Sequence, residues 1–412
     1  MLKKFRVFSI FLAVVLVLTM LPLTAVAAPA SNNGGIAPIR INASAPVEST
    51  DTVSQMDVIA KYVNSIKTND WTTLIQLSSS RDYDEYVRFF ADKTNNQNKV
   101  GLYAINTASL FSITKLDINT LALYDNESYY KGLYGNDLGL YLVGANINCK
   151  KESKDFYNGV NFFIVILGKE NGQWKVLTFS EAPPSAIEAY VPDTSQDILT
   201  ALDIVKSRNQ GIFKNGEGQI IGTNRAAKPQ LNAEEGHAIF SLLVVTNWNE
   251  PANIKVQITA TGVISTVVFY TYCKNVLPNE WIGSWNSESL KAGAECVKMV
   301  GWYRVYNAKY PGLGYDIKDS TADQVYKPNT AQATCTAAID AVSNVIIVDS
   351  ITNLFYLAYN SGTSGSAGTQ NSGVVSQYGT QYLANTKGYG YVDILKYYYG
   401  SNIHTVTSIP LK

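Results

Sequence analysis

Histidine is nearly absent from these 412 residues; His237 and His404 are the two. A count that low excludes a histidine-rich zinc site. Charge is scarce too. Charged residues make up 16% of the chain, against roughly 25% in ordinary soluble domains. Lys+Arg and Asp+Glu number 33 each, so the formal net charge is zero. That balance leaves no electrostatic footprint for nucleic acid or an anionic membrane. Cysteine is limited to Cys149, Cys273, Cys296 and Cys335, with no C-x-x-C spacing, which argues against a zinc site. Beyond the N-terminus no apolar run is long. Val345–Val348, for example, is bounded by polar residues within a few positions, so no membrane span is expected after the first segment.

What is present begins with an address. Lys3, Lys4 and Arg6 precede an apolar run from Val7 to Leu18, and Ala25-Val26-Ala27 offers a small-x-small cleavage site. Residues 1–28 therefore read as a secretory signal, with no cysteine at the cleavage point for a lipid anchor. Export to an oxidising compartment permits disulfides. Four cysteines allow three full pairings, and spacing does not choose among them. Cys296, in an apolar helical stretch, reads as well as a small core residue. The remaining length suggests two domains at roughly 100–200 residues each. Hydrophobic residues at 46% exclude a disordered chain. Tyrosine is in surplus, 27 against 14 phenylalanines. Tyrosine suits surfaces that face sugars, and a β-rich fold favours it equally.

Residues 29–50 are rich in Ala, Pro, Ser and Asn and read as a flexible leader. Val58, Ile59, Tyr62, Val63 and Ile66 then mark one face of an amphipathic helix. Trp71 to Leu77 suggests a second short helix, and Arg81–Phe90 a third. The pair Asp82 and Glu85 reads as a solvated helix face. From Gly101 the period changes. Leu140–Asn148, Val160–Leu167 and Gln173–Phe179 read as strands, with a turn at Lys169-Glu-Asn-Gly172. Helices followed by an antiparallel meander predict an α+β layer over 51–185. That pattern resembles an NTF2-like domain, in which a helix packs on a curved sheet. Ala182-Pro183-Pro184 is expected to close it. Residues 186–250 read as a connector with a helix near Ile198–Val205.

The segment 251–412 opens with a hairpin: Ile254, Val256 and Ile258 alternate, Thr261-Gly262 turns, and Val263 to Phe269 continue. A helix is expected from about Ser284 or Asn286 to Lys309, with Glu288 in its first turn as a favourable structural carboxylate. Glu280 stands apart, between Pro278-Asn279 and Trp281, in a stretch without periodicity. A loop glutamate on the surface is one reading. A carboxyl desolvated by the neighbouring indole, able to donate a proton near neutral pH, is the other.

Tyr272, Val276, Leu277, Glu280, Trp285, Glu288, Leu290, Lys291, Ala292 and Ala294 match a Y-L-x-G-V-V-x-x-E-M-P-x-x-W-x-x-E-A-L-K-A-Q-A pattern. Asp316, Asp319, Gln324 and Tyr326 match D-x-x-D-x-x-x-x-Q-x-Y. Ser376-Gln377-Tyr378-Gly379 and Ile394–Gly400 match two terminal blocks, and Tyr359-Asn360-Ser361-Gly362 stands where a Ser/Gly-rich segment falls. On these blocks 251–412 resembles the SpoIID/LytB domain, the stage II sporulation protein D and amidase-enhancer family.

The resemblance implies an α+β SpoIID-like domain in an exported, wall-associated protein. It implies a lytic transglycosylase acting on peptidoglycan glycan strands, with Glu280 as general acid and then base. Trp281, Tyr326 and Tyr378 would stack on sugars. Gln324, Ser361, Ser376 and Gln377 would bind the substrate. The alternative it allows is a non-catalytic peptidoglycan-binding protein, or a modifier whose partner is a cell-wall amidase. Two departures bear on metal: Ala322 and Asp323 precede Gln324, and Asn371–Val375 precedes Ser376, where zinc-binding relatives carry His or Cys. No metal and no cofactor is expected. Two more departures fall near the acid. Trp281-Ile282 replaces Met-Pro, and Gly293 replaces the Gln of A-Q-A.

Overall fold

The computed structural model describes residues 50–225, 249–348, 354–400 and 403–407. The signal 1–28, the leader up to residue 49 and His237 lie outside the described residues. The chain opens with α1 (Thr50–Thr68), α2 (Trp71–Leu77), α3 (Tyr83–Ala91) and α4 (Lys93–Asn98). The apolar stripe read from the sequence is the face α1 buries: Ile59, Tyr62, Val63 and Ile66 are all inaccessible. Asp70 caps α2 by accepting the Thr73 N–H at 3.0 Å.

The stripe packs on a four-stranded sheet, β1 (Ile105–Lys115), β2 (Leu138–Cys149), β3 (Gly159–Glu170) and β4 (Gln173–Glu181), paired as an antiparallel meander in that order. Asn171 (φ 50°) and Gly172 (φ 79°) both take left-handed backbone in the β3–β4 turn, as a primed hairpin turn requires. β2 and β3 are buried on both faces, which is why their alternation is imperfect. One face packs against α1. The other packs against Ala186 and Ile187 of α6 (Pro184–Tyr190) and Ile198, Ala201 and Val205 of α7 (Gln196–Asn209). The chain therefore does not leave the sheet at Pro183-Pro184. Pro184 instead starts α6, where the missing N–H costs nothing. α5 (Glu127–Tyr134) lies between β1 and β2 in sequence.

A short hairpin, β5 (Ile212–Lys214) and β6 (Ile220–Thr223), precedes the second half. There β7 (Asn253–Ile258) pairs antiparallel with β8 (Val263–Val268) and parallel with β9 (Ile317–Lys318). α8 (Phe269–Glu280) follows β8 directly, so the expected loop around Glu280 is a helix, and Phe269 opens it rather than ending a strand. α9 (Ser287–Tyr306) is buried almost all round, with α10 (Ala333–Ala341), α11 (Gln377–Lys387) and α12 (Tyr391–Tyr399) against it. Its charged members survive burial because they are paired. Glu295 meets Lys298 at 3.1 Å, and Lys298 also donates to the carbonyls of Val342 and Val345. The remaining strands are short: β10 (Val345–Val348) with β13 (His404–Thr407), and β11 (Tyr359–Asn360) with β12 (Val375–Ser376).

The two halves share a core. Leu313 and Tyr315 sit in the same apolar cluster as α1 and the first sheet face. Charges seal the join. Asp82 and Glu85 both grip Lys318 at 2.8 Å, and Glu85 also bonds Tyr315. That pair is thus an internal anchor, not the solvated face read from the sequence. Asp125 binds Arg304 at 2.7 Å and Lys309 at 3.2 Å, all three inaccessible. All four cysteines are free thiols, three of them buried. Among the described residues no helix is long and apolar enough to cross a membrane.

Candidate functional site

Glu280 is the last residue of α8 and remains half-buried. Two groups hold its carboxyl, and a third lies beside it. The Val325 N–H donates to Oε1 at 2.7 Å and Gln377 Nε2 donates to Oε2 at 3.1 Å, and the nearby Tyr359 hydroxyl also favours the ionised form. All three are neutral. Burial pushes the carboxyl above its ordinary range, and these donors offset only part of that shift. Its place at a helix C-terminus, the negative end of the dipole, disfavours ionisation in the same direction.

Each donor is fixed from behind. Asn275 Oδ1 accepts the N–H groups of Thr330 and Ala331, and Asn279 donates to Thr330 at 2.7 Å. These bonds tie the loop after Val325 to α8 itself. On the other side of Val325, Lys309 holds the Ala322 carbonyl at 3.2 Å and Asp323 at 2.8 Å. Gln377 opens α11, and its carbonyl accepts the Thr380 hydroxyl at 2.7 Å. Thr380 in turn accepts the Trp281 indole N–H at 3.1 Å and meets Ser289 of α9 at 2.7 Å. Tyr359 is oriented by a chain with a defined proton direction. Tyr272 donates to Gln324 Oε1 at 2.9 Å, and Gln324 Nε2 donates to the Tyr359 oxygen at 3.1 Å. The Tyr359 proton is then left for Glu280.

Four expected substrate contacts are corrected by this geometry. Trp281 is 1% exposed and buries its ring, because its indole is needed to anchor Thr380. Gln324 is fully buried and spends its amide on Tyr272, Val297 and Tyr359. Tyr326, 6% exposed, stacks on Tyr272 at 5.4 Å. Ser376, also 6% exposed, caps α11 by accepting the Gly379 N–H at 2.9 Å. These residues support the site rather than face a ligand. Gln377 reaches Glu280 directly. Tyr378 is half-buried with its ring 5.2 Å from that of Trp285, and Ser361 is exposed, its carbonyl taking the Tyr378 N–H at 3.1 Å. Sequence reasoning missed the donors Val325 and Tyr359. A backbone N–H has no sequence signature, whereas Tyr359 stood at the head of a matching block.

The two departures beside Glu280 turn out to be one exchange. A Cβ on Gly293 would fall 2.5 Å from the Trp281 ring, so the glycine makes the space that the indole fills. Gly293→Gln alone is therefore expected to lower stability by about 1–3 kcal/mol or more through overpacking. Adding Trp281→Met should return part of the loss, giving a coupling of about 0.5–3 kcal/mol in urea denaturation. Strictly additive effects would show that the two positions do not compensate.

Among the described residues no cluster of three or more His, Cys, Asp or Glu could hold a metal ion. Asp316 of the second block is also internal and accepts the backbone N–H of Lys255, while the partly exposed Asp319 accepts that of Thr259.

Comparison with known proteins places this geometry in context. Residues 257–348 match the family model SpoIID, described as Stage II sporulation protein. The match covers Glu280, Val325 and the Gln324–Tyr326 block and ends before Tyr359 and Gln377. No curated protein matches the chain.

Proposed function

We propose that this chain, with its SpoIID match over 257–348, is an exported sporulation or cell-wall protein that cuts peptidoglycan glycan strands as a lytic transglycosylase. The observation that carries the reading is the Glu280 carboxyl: half-buried, raised in pKa by burial, and held by two neutral donors. A carboxyl so held stays protonated further up the pH scale and can protonate a glycosidic oxygen. As carboxylate it then takes the proton of the sugar's own C6 hydroxyl, whose oxygen closes on C1. The C1–O bond to the leaving sugar breaks, an anhydro end forms, and no water is added. One carboxyl serves both steps, unlike the two-carboxylate hydrolases. The Val325 N–H and Gln377 hold the carboxyl while its charge changes. In this proposal 51–185 is an NTF2-like layer, and 251–412 carries the chemistry.

One observation favours a second reading, a non-catalytic glycan-binding protein or amidase modifier. Trp281, Gln324, Tyr326 and Ser376 are all turned inward, which leaves few groups to grip a sugar at Glu280. The experiment that separates the two compares wild type with Glu280→Gln on denuded glycan strands. Product formation by wild type alone supports the enzyme. Glycan binding by both, with product from neither, supports the binder.

A further inference from the structure

A cleft of about 420 Å³ opens where α3 and the start of α4 face the β7–β8 hairpin, within the usual size of ligand sites. Its residues come from both halves of the chain. Gln257 of β7 and Ile264 of β8 stand directly opposite each other on one face of the sheet. Leu313 and Tyr315 line the cleft from the shared core. Arg88 and Asp92, one turn apart at the end of α3, line it from the helical side. Gly262 lets the hairpin come up to that side. Its backbone is left-handed (φ 74°), and a Cβ there would meet Arg88 Nε at 3.4 Å.

The charges in this cleft are left apart. Arg88 is exposed, and its guanidinium has no ion-pair partner among the described residues. Asp92 is its neighbour along the helix and does not pair with it. One Asp92 oxygen caps α4 through the Thr94 N–H at 2.8 Å, and the other is unspent. Glu85, the remaining carboxylate, gives one oxygen to Tyr315 and the other to Lys318. Gln257 differs from Gln324 of the Glu280 site, whose amide is fully used. Its side chain lines the cleft, yet its oxygen has no hydrogen-bond partner among the described residues. A donor entering the cleft would satisfy it. A neutral sugar offers nothing to either charge, and a polyanion would meet two carboxylates for one guanidinium. The set calls for one ligand with a carboxylate for the guanidinium fork, an ammonium for Asp92 and an amide N–H for Gln257. A short peptide with a free amine carries all three. Val263 and Ile264, 57% and 39% exposed, give its small side chains an apolar surface.

We infer that this cleft binds a short zwitterionic peptide, its carboxylate on Arg88, its ammonium on Asp92 and a backbone N–H towards Gln257. The natural source of that peptide, a peptidoglycan stem with a free side-chain amine and a D-alanyl carboxylate, rests on the cell-wall reading above. The cleft shares no residue with the groups that hold the Glu280 carboxyl. It gives the N-terminal half a direct part in binding, through α3.

The test is calorimetric titration of the full mature chain with Nα-acetyl-lysyl-D-alanyl-D-alanine, beside its C-terminal amide and its Nε-acetyl form. Each blocked form should bind about 5- to 20-fold more weakly than the free peptide, as expected for one lost charged hydrogen bond. Arg88→Gln should bind the free peptide and the amide equally, yet still discriminate against the Nε-acetyl form. Asp92→Asn keeps a good cap for α4 and should do the reverse, losing only its preference for the free lysine amine. Misfolding cannot produce that crossed pattern. If the free peptide does not bind, or both variants discriminate as wild type does, the cleft is overturned as a peptide site, even where wild type cleaves glycan. If the crossed pattern appears, the site stands, even where wild type cleaves nothing and the enzyme reading falls. Equal binding of the all-L peptide would overturn the wall stem as its source.

Discussion

Glu280→Gln is expected to lower the rate of glycan cleavage by about 100- to 10,000-fold, the range usual for removing a general acid. The side-chain amide keeps an oxygen for the Val325 N–H, so the fold should be little disturbed. What disappears is the transferable proton. The pH profile gives a second reading of the same group. Burial holds the Glu280 carboxyl above its ordinary range, and the acid must carry its proton to act. The wild-type kcat/KM should therefore stay on its plateau beyond the usual carboxylate range and fall as pH rises through the raised pKa. The small residual rate of Glu280→Gln should lack that fall. A variant with wild-type rate, or one with the same pH limb, would remove Glu280 from the chemistry.

The second large effect concerns the join. Asp125→Asn should cost about 3–5 kcal/mol of stability, because it leaves Arg304 buried without its anion and Lys309 with Asp323 alone. That is a large share of the roughly 5–15 kcal/mol that a folded domain has. Burial alone would raise the Asp125 pKa, but Arg304 and Lys309 outweigh it and hold the carboxyl below its usual range. A depressed acid contributes stability above the unfolded pKa of about 3.9 and loses it as pH falls through the folded value. The Asp125→Asn penalty should thus be full at neutral pH and fade in strong acid. A neutral-pH change under about 1 kcal/mol in urea denaturation would show that the network adds little. Because Lys309 also grips Ala322 and Asp323, two residues ahead of the Val325 donor, the same change should disturb Glu280.

How much of this was readable in advance depends on the range of the forces involved. α1 announced itself because its stripe faces one continuous core, and Asn171-Gly172 marked the β3–β4 turn through backbone demands that few residues meet. β1 went unread because bulges near Thr107 and Ser112 break its alternation. α8 went unread because Pro278, Asn275 and Asn279 look like a loop, whereas Asn275 is spent on the 330–331 backbone and Asn279 on the Thr330 hydroxyl. Asp82 and Glu85 look solvated locally, since their partner Lys318 comes from a distant part of the chain. At the site, Glu280 and Gln377 were visible through the family pattern. The inward turn of Trp281 was not, because it depends on the missing side chain at Gly293.

The most direct test of Glu280 as the acid and base of a glycan-strand lyase is cleavage of denuded strands in oxygen-18 water, with the new ends weighed by mass spectrometry. The expected result is ends one water lighter than hydrolytic ends, free of oxygen-18 and absent with Glu280→Gln. Ends carrying one oxygen-18 would mean that water is the nucleophile, and would contradict it.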